Sequence, residues 1–129
     1  EMNIEIIPSG YILIDGGTNS SVAYISQTTP IPGNKLSIIQ STAKAGILKG
    51  NRLLYFDAGS GAKYRVPSEV ISAANKLDVP IIVGGGIRNM QQLEEVRNAG
   101  ANVIVIGNKI EEDIDFLLDI KSFLEIEQI

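Results

Sequence analysis

Glycine-rich turns follow three successive apolar runs of the sequence, at segments 57–61, 84–86 and 107–108. Glycine lets the backbone approach a ligand closely and direct its N–H groups at it. A phosphate needs several such donors, preferably at the start of a helix. One cluster of this kind indicates no more than a tight turn between a strand and a helix. Three clusters in succession favour a phosphate site built from backbone N–H groups.

Acid–base chemistry has few candidate side chains, because the chain contains no His and no Cys. This composition excludes thiol nucleophiles, imidazole bases and the usual zinc ligands, so any metal would be a hard ion bound by oxygen. Asp57 stands between an apolar run and its glycine turn, and Asp15 ends the preceding run. Two such carboxylates could share acid–base work or could each cap a turn. We favour capping for Asp15 and a ligand-facing carboxylate for Asp57.

The charge pattern restricts the partners. The net charge is −4 and no run of Lys or Arg occurs, which argues against nucleic acid and allows at most peripheral membrane contact. Arg88 could pair with a phosphate or remain solvated. The acidic side chains of segment 111–115 complement the dipole of a helix start better than they suit a metal.

The location of the protein is also constrained by its apolar runs. None approaches the ~18 residues that span a bilayer, and no signal peptide opens the chain. We therefore expect a cytoplasmic protein. The first residue is Glu rather than Met, so we expect the segment to belong to a longer gene product.

Four continuous apolar runs predict strands that are covered on both faces of a parallel sheet. They are segments 11–14, 53–56, 80–83 and 103–106.

Helical spacing of apolar residues predicts a helix after each of these runs. The first covers Leu36 to Leu48, the second opens at Pro67, the third is capped by Asn89 and the fourth begins at about Asp113. Segment 22–25 could form a short extra strand.

The alternation of strands and helices predicts an α/β fold with a parallel sheet and right-handed crossovers. A small doubly wound sheet and half of a (β/α)₈ barrel both fit. A full barrel takes about 250 residues, and barrel enzymes often bind phosphate after strands 7 and 8. The glycine turns at 84–86 and 107–108 would occupy those places in the C-terminal half, strands 5–8. We therefore predict that residues 1–129 form a single half-barrel segment.

A more specific signal lies in segment 54–62, Leu-Tyr-Phe-Asp-Ala-Gly-Ser-Gly-Ala. Together with segments 29–32, 80–88 and 105–111, it resembles geranylgeranylglyceryl phosphate synthases and the related bacterial heptaprenylglyceryl phosphate synthases. The resemblance extends from Gly10 to about Glu112 and matches only the second half of that family, strands 5–8.

The resemblance implies a reaction in which a polyprenyl diphosphate is joined to the C3 hydroxyl of sn-glycerol 1-phosphate. It implies a catalytic role for Asp57, where the family usually has Glu. The family's Mg²⁺ ligands lie on strands 1 and 2, so the resemblance implies Mg²⁺ but no metal ligand in this chain. The implied glycerol-phosphate contacts are Tyr55, Phe56, Asp57, Ala58, Gly59, Ser60 and Gly61, and the implied phosphate contacts are Gly85, Gly86, Gly107 and Asn108.

Two other functions remain open at this point. One is another phosphate-binding barrel enzyme, an isomerase or lyase, which would share the glycine triplet but not segment 57–62. The other is a half-barrel that binds phosphate without catalysis. Because four strands cannot close a barrel, we expect the chain to pair with its N-terminal half or to form a homo-oligomer. We also expect Val at Gly85 or Gly107 to abolish anion binding without unfolding the chain.

Overall fold

The computed structural model describes residues 2–126 as a four-stranded parallel sheet with strand order β1-β2-β3-β4. The strands are β1 Ser9–Leu13, β2 Leu53–Asp57, β3 Ile81–Gly84 and β4 Val103–Val105. The helices are α1 Ser21–Ser26, α2 Leu36–Leu48, α3 Ser68–Asn75, α4 Met90–Asn98, α5 Asn108–Glu112 and α6 Phe116–Ile126. The predicted α/β fold with a parallel sheet is confirmed.

The main helices cover only one face of the sheet. On that face Leu54, Phe56 and Val83 are fully buried against apolar residues of α2, α3 and α4. On the opposite face Tyr11, Val103 and Val105 are 46%, 51% and 43% exposed. The second cover that the apolar runs predict is therefore not supplied by the described residues, as expected for four strands that cannot close a barrel. The apolar runs are continuous because both faces carry apolar side chains, but the described residues cover only one of them.

The helix predictions hold where local signals and the core agree. Helix α2 has the predicted bounds and buries Ile39 and Ala43. Helix α4 begins after Asn89, whose side chain accepts a hydrogen bond of 2.9 Å from the Gln92 N–H. Pro67 is the N-cap of α3 rather than its first helical residue.

Two element predictions are wrong. Segment 22–25 lies in helix α1 and not in a strand, because Ser20 caps the helix by accepting a hydrogen bond from the Ala23 N–H at 3.2 Å. The helix predicted from about Asp113 begins at Phe116 instead, and a short helix that was not predicted, α5, precedes it. Asp113 adopts an extended conformation and ends α5, and its carboxylate pairs with the Lys109 ammonium at 2.9 Å. Helix α6 then begins at Phe116, which is buried.

Membrane-spanning length is not reached by any helix within residues 2–126.

Candidate functional site

The four loops that follow the strands meet at the carboxyl edge of the sheet. The Gly16 carbonyl, after β1, accepts hydrogen bonds from the N–H groups of Lys63 and Tyr64, at 2.8 and 3.0 Å, in the loop after β2. The Asn108 side chain, after β4, accepts hydrogen bonds from the Gly61 N–H at 2.8 Å and the Ser60 hydroxyl at 3.3 Å. The predicted glycine turns are therefore brought together in space.

Gly85 and Gly86, after β3, are required by the packing of these loops. Both have positive φ, 84° and 73°. A Cβ on Gly85 would lie 2.7 Å from the Gly59 carbonyl oxygen, and one on Gly86 would lie 2.8 Å from the Tyr64 carbonyl oxygen. Such contacts force the backbone to move, so the expectation that Gly85→Val leaves the fold intact is wrong.

Gly107 differs from this pair. A Cβ at Gly107 would meet no atom within 4 Å, and its φ of −114° lies outside the left-handed region. Packing among the described residues therefore does not require glycine here. A ligand that approaches the backbone closely would require it. Gly107 faces a pocket that contains the predicted phosphate contacts. The pocket is lined by Ala62, segments 85–88 and 105–109, and Glu112.

The polar groups around this pocket suit an anion. Arg88 and Lys109 line it, and the Arg88 guanidinium donates a hydrogen bond to the Ala62 carbonyl at 3.1 Å. Because the Asn108 carbonyl oxygen accepts from the loop after β2, its NH₂ group is left to donate. The start of α5 lies at the same place. The predicted phosphate contacts Gly85, Gly86, Gly107 and Asn108 thus share one pocket with Arg88, with Lys109, which is paired with Asp113, and with the Glu112 carboxylate.

Asp57 lies at the end of β2, on the open face of the sheet, and is partly buried. Its Oδ1 accepts a hydrogen bond of 2.8 Å from the Gly59 N–H, so it caps the following turn. Its Oδ2 accepts a hydrogen bond from the Tyr11 hydroxyl. A Cβ on Gly85 would lie 3.0 Å from Asp57 Oδ1, so the carboxylate directly borders the glycine triplet. Asp15 accepts a hydrogen bond from the Gly17 N–H at 2.9 Å, which confirms its capping role.

Tyr11 is the residue that sequence reasoning missed. It pairs with Tyr55 in the register of β1 and β2, and the two rings meet edge to face with centroids 5.2 Å apart. Burial raises the pKa of the Tyr11 phenol, and the hydrogen bond to Asp57 raises it further. The pKa of Tyr55 is also raised, by burial and then by the Asp57 charge. Both phenols are therefore protonated donors at neutral pH. The register of β1 and β2 brings Tyr11 to Asp57, and no local pattern in the sequence indicates it.

The remaining predicted contacts occupy different environments. The side chains of Phe56 and Ala58 are buried, and Phe56 lies in the helix-covered core. Gly59, Ser60 and Gly61 form the turn after Asp57, and Ser60 and Gly61 are exposed. Phe56 and Ala58 can therefore serve the site only through their backbone.

Metal binding was expected to use residues outside this chain. Within residues 2–126, no group of three or more acidic side chains is placed to hold a metal ion. These residues do not supply a Mg²⁺ site of their own, and Mg²⁺ stays a prediction.

Comparison with known proteins identifies the family. The sequence profile of the PcrB family matches residues 1–126. The geranylgeranylglyceryl phosphate synthase of Spirosoma linguale is 47% identical over 88% of this chain and 46% of its own length. That of Korarchaeum cryptofilum is 38% identical over 96% of this chain and 51% of its own length.

A solved structure agrees with these relatives. It is (S)-3-O-geranylgeranylglyceryl phosphate synthase from Thermoplasma acidophilum in complex with its substrate sn-glycerol-1-phosphate. It superposes with a TM-score of 0.80 at 37% identity and covers 88% of this chain and 46% of that one. The chain thus spans about half the length of the relatives it matches. The profile match over nearly the whole sequence, with these relatives and this structure, shows that the chain belongs to the PcrB family.

Proposed function

We propose that this chain carries the glycerol-phosphate site of a prenyltransferase that joins a polyprenyl diphosphate to the C3 hydroxyl of sn-glycerol 1-phosphate. The proposal rests on the proximity of two features of the site. A pocket of glycine turns and cationic side chains lies beside the Asp57 carboxylate. A solved relative with the same fold is in complex with that substrate.

The two parts of the site would perform different tasks. The turns at Gly85, Gly86 and Gly107 would hold the phosphate through backbone N–H groups, with Arg88 and Lys109 supplying positive charge. Asp57 would accept a hydrogen bond from the C3 hydroxyl and orient its oxygen. As the new ether C–O bond forms and the C–O bond to diphosphate breaks, the hydroxyl proton would pass to Asp57. A positioned base of this kind contributes roughly 10²–10⁴-fold to the rate.

We also propose that the sheet is strands 5–8 of a (β/α)₈ barrel. Support comes from the single layer of helices on one face, the apolar residues exposed on the other, the open edge at β4 and the edge of β1, which is paired only at its end. The open face would become the interior of the barrel, completed by an N-terminal half or by a second copy of this chain. Residues 1–129 would then be a single half-barrel segment. Mg²⁺ bound by that other half and a cytoplasmic location remain predictions.

Enantiomer selectivity tests the proposed substrate. The chain is titrated with sn-glycerol 1-phosphate, with its enantiomer and with inorganic phosphate, and the heat of binding is measured. We expect all three to bind through the phosphate, with sn-glycerol 1-phosphate the tightest because only its hydroxyl meets Asp57. Equal affinity for the two enantiomers would remove sn-glycerol 1-phosphate as the substrate of this site.

A further inference from the structure

The carboxylate of Asp57 is held at both of its oxygens. Oδ1 accepts from the Gly59 N–H within its own turn, at 2.8 Å. Oδ2 accepts from the hydroxyl of Tyr11, a residue 46 positions earlier in the sequence. The first contact caps a turn, as the equivalent contact of Asp15 with Gly17 does. The second fixes the direction of the carboxylate relative to the sheet, which a capping role does not require.

The register of β1 and β2 places the Tyr11 hydroxyl beside the Asp57 carboxylate. Tyr11 pairs with Tyr55, and Asp57 lies two residues further along β2 on the same face. Two residues of a strand span about 6.6 Å, a length that a phenol ring with its hydroxyl covers. The edge-to-face contact with Tyr55 fixes the plane of the Tyr11 ring. The hydroxyl is therefore aimed by two elements that are both part of the rigid sheet.

We propose that Tyr11 is a positioning and specificity-determining residue, which holds the Asp57 carboxylate so that Oδ2 presents its remaining lone pair to one hydroxyl of a polyol phosphate. This proposal rests on the proposed function. A carboxylate offers about four acceptor positions, and the Gly59 N–H and Tyr11 hydroxyl occupy two. Asp57 lies on the open face of the sheet, and its carboxylate borders the Gly85 turn, where a Cβ on Gly85 would lie 3.0 Å from Oδ1.

The length of the aspartate side chain strengthens the need for such a contact. Asp57 is short and close to the backbone, and its Oδ1 is tied into its own turn. Without the Tyr11 contact, Oδ2 would be free to turn about the side-chain bond that the turn leaves unconstrained. The phenol stays protonated at neutral pH because its pKa is raised, so it continues to donate while the carboxylate accepts from the ligand.

The test compares three proteins with three ligands. The full 129-residue chain, the Tyr11→Phe variant and the control Tyr24→Phe are titrated with sn-glycerol 1-phosphate, its enantiomer and inorganic phosphate. Tyr24 is 86% exposed and lies in α1, so its hydroxyl serves as the matched control. Tyr11→Phe keeps the ring contact with Tyr55 and removes only the hydroxyl.

We expect Tyr11→Phe to weaken the binding of sn-glycerol 1-phosphate roughly ten-fold, the usual effect of losing a hydrogen bond to a charged group. Enantiomer preference should fall with it, while affinity for inorganic phosphate stays unchanged. An unchanged preference, or equal weakening of all three ligands, would overturn the positioning role. If the wild-type chain binds phosphate without enantiomer preference, the proposed function fails and this inference fails with it.

A double-mutant cycle separates positioning from a general loss of structure. In the Asp57→Asn background the carboxylate is absent, so Tyr11→Phe should have no further effect on enantiomer preference. Additive losses from the two substitutions would show that Tyr11 acts independently of Asp57, which contradicts the proposal.

Discussion

At the scale of single residues, glycines with the same sequence signature have two different structural roles. Gly85 and Gly86 allow the loops after β2 and β3 to pack together, since a side chain at either position would strike backbone atoms. Gly107 lies in open space at the edge of the pocket. The same distinction separates two aspartates that cap similar turns, because only Asp57 also receives a hydrogen bond from a tyrosine.

Gly107→Val should abolish phosphate binding and leave the melting temperature nearly unchanged, because Gly107 lines the pocket and a Cβ there meets no atom within 4 Å. Gly85→Val is the matched variant. Its free energy of unfolding should fall by about 1–3 kcal/mol, the cost of a non-glycine residue at positive φ. Thermal unfolding and phosphate titration measure both effects. A Gly107→Val protein that binds phosphate normally would exclude this pocket as the phosphate site.

Asp57→Asn should keep the turn, since its amide oxygen can still accept from the Gly59 N–H, but it removes the charge. We expect phosphate affinity to be retained and the preference for sn-glycerol 1-phosphate to be lost. In a complete enzyme the same change should lower kcat by roughly 10²–10⁴-fold. Asp15→Asn is the control, because Asp15 caps an equivalent turn. A wild-type kcat for Asp57→Asn would remove Asp57 from the mechanism.

At the scale of elements, the pairing of β1 with β2 creates the acid–base part of the site. Neither strand contains it alone: Tyr11 comes from β1, and Tyr55 and Asp57 come from β2. Glycine contacts then attach the loops after β3 and β4 to the same edge. The site is therefore as stable as the sheet that holds its side chains.

This pairing predicts a dependence of stability on alkaline pH. The pKa of Tyr11 is raised in the folded protein, whereas an unfolded tyrosine titrates near pH 10. Above about pH 10 the unfolded chain loses this proton first, so the stabilisation from the neutral phenol is full below that pH and declines as pH rises. We expect wild type to lose stability more steeply than Tyr11→Phe above about pH 10. Denaturant unfolding from pH 8 to 11 measures the difference, and parallel curves would contradict the raised pKa.

At the scale of the whole molecule, the sheet has one covered and one open face. Tyr11, Val103 and Val105 expose apolar surface on the open face. The outer edge of β4 is unpaired within the described residues, and that of β1 is paired only at its end, with Ile31. Apolar patches and unpaired strand edges of this kind favour association. The proposed barrel would bury the open face as its interior.

We therefore expect the chain to sediment as an associated species rather than a monodisperse monomer. Val105→Asp should weaken association, because a carboxylate on the open face must be desolvated when that face is covered. Leu48→Asp is the control: Leu48 is 89% exposed at the end of α2, away from the open face. Sedimentation velocity over a range of concentrations measures both variants. A wild-type monomer at all concentrations would contradict the expectation.

Much of the fold could be predicted because its signals are local. The four apolar runs, the bounds of α2 and the Asn89 cap are each encoded within a few neighbouring residues. The turn residues of the site were predictable for the same reason, since glycine and aspartate at strand ends have few other uses. Segment 22–25 and the start of the last helix were predicted wrongly, because the Ser20 hydroxyl accepts a capping hydrogen bond from Ala23 and the Lys109 ammonium donates one to Asp113, which the apolar pattern does not reveal.

By itself the sequence determined the order of the four strands and of helices α2, α3 and α4, the place of the glycine turns and the position of Asp57 at the end of a strand. Only the tertiary structure decided which glycines pack against backbone and which stands open, since that depends on loops separated by tens of residues. It also decided that Tyr11 reaches Asp57. Register between parallel strands joined by a long crossover is set by the packing of the whole sheet and its helices, which no local stretch of sequence encodes.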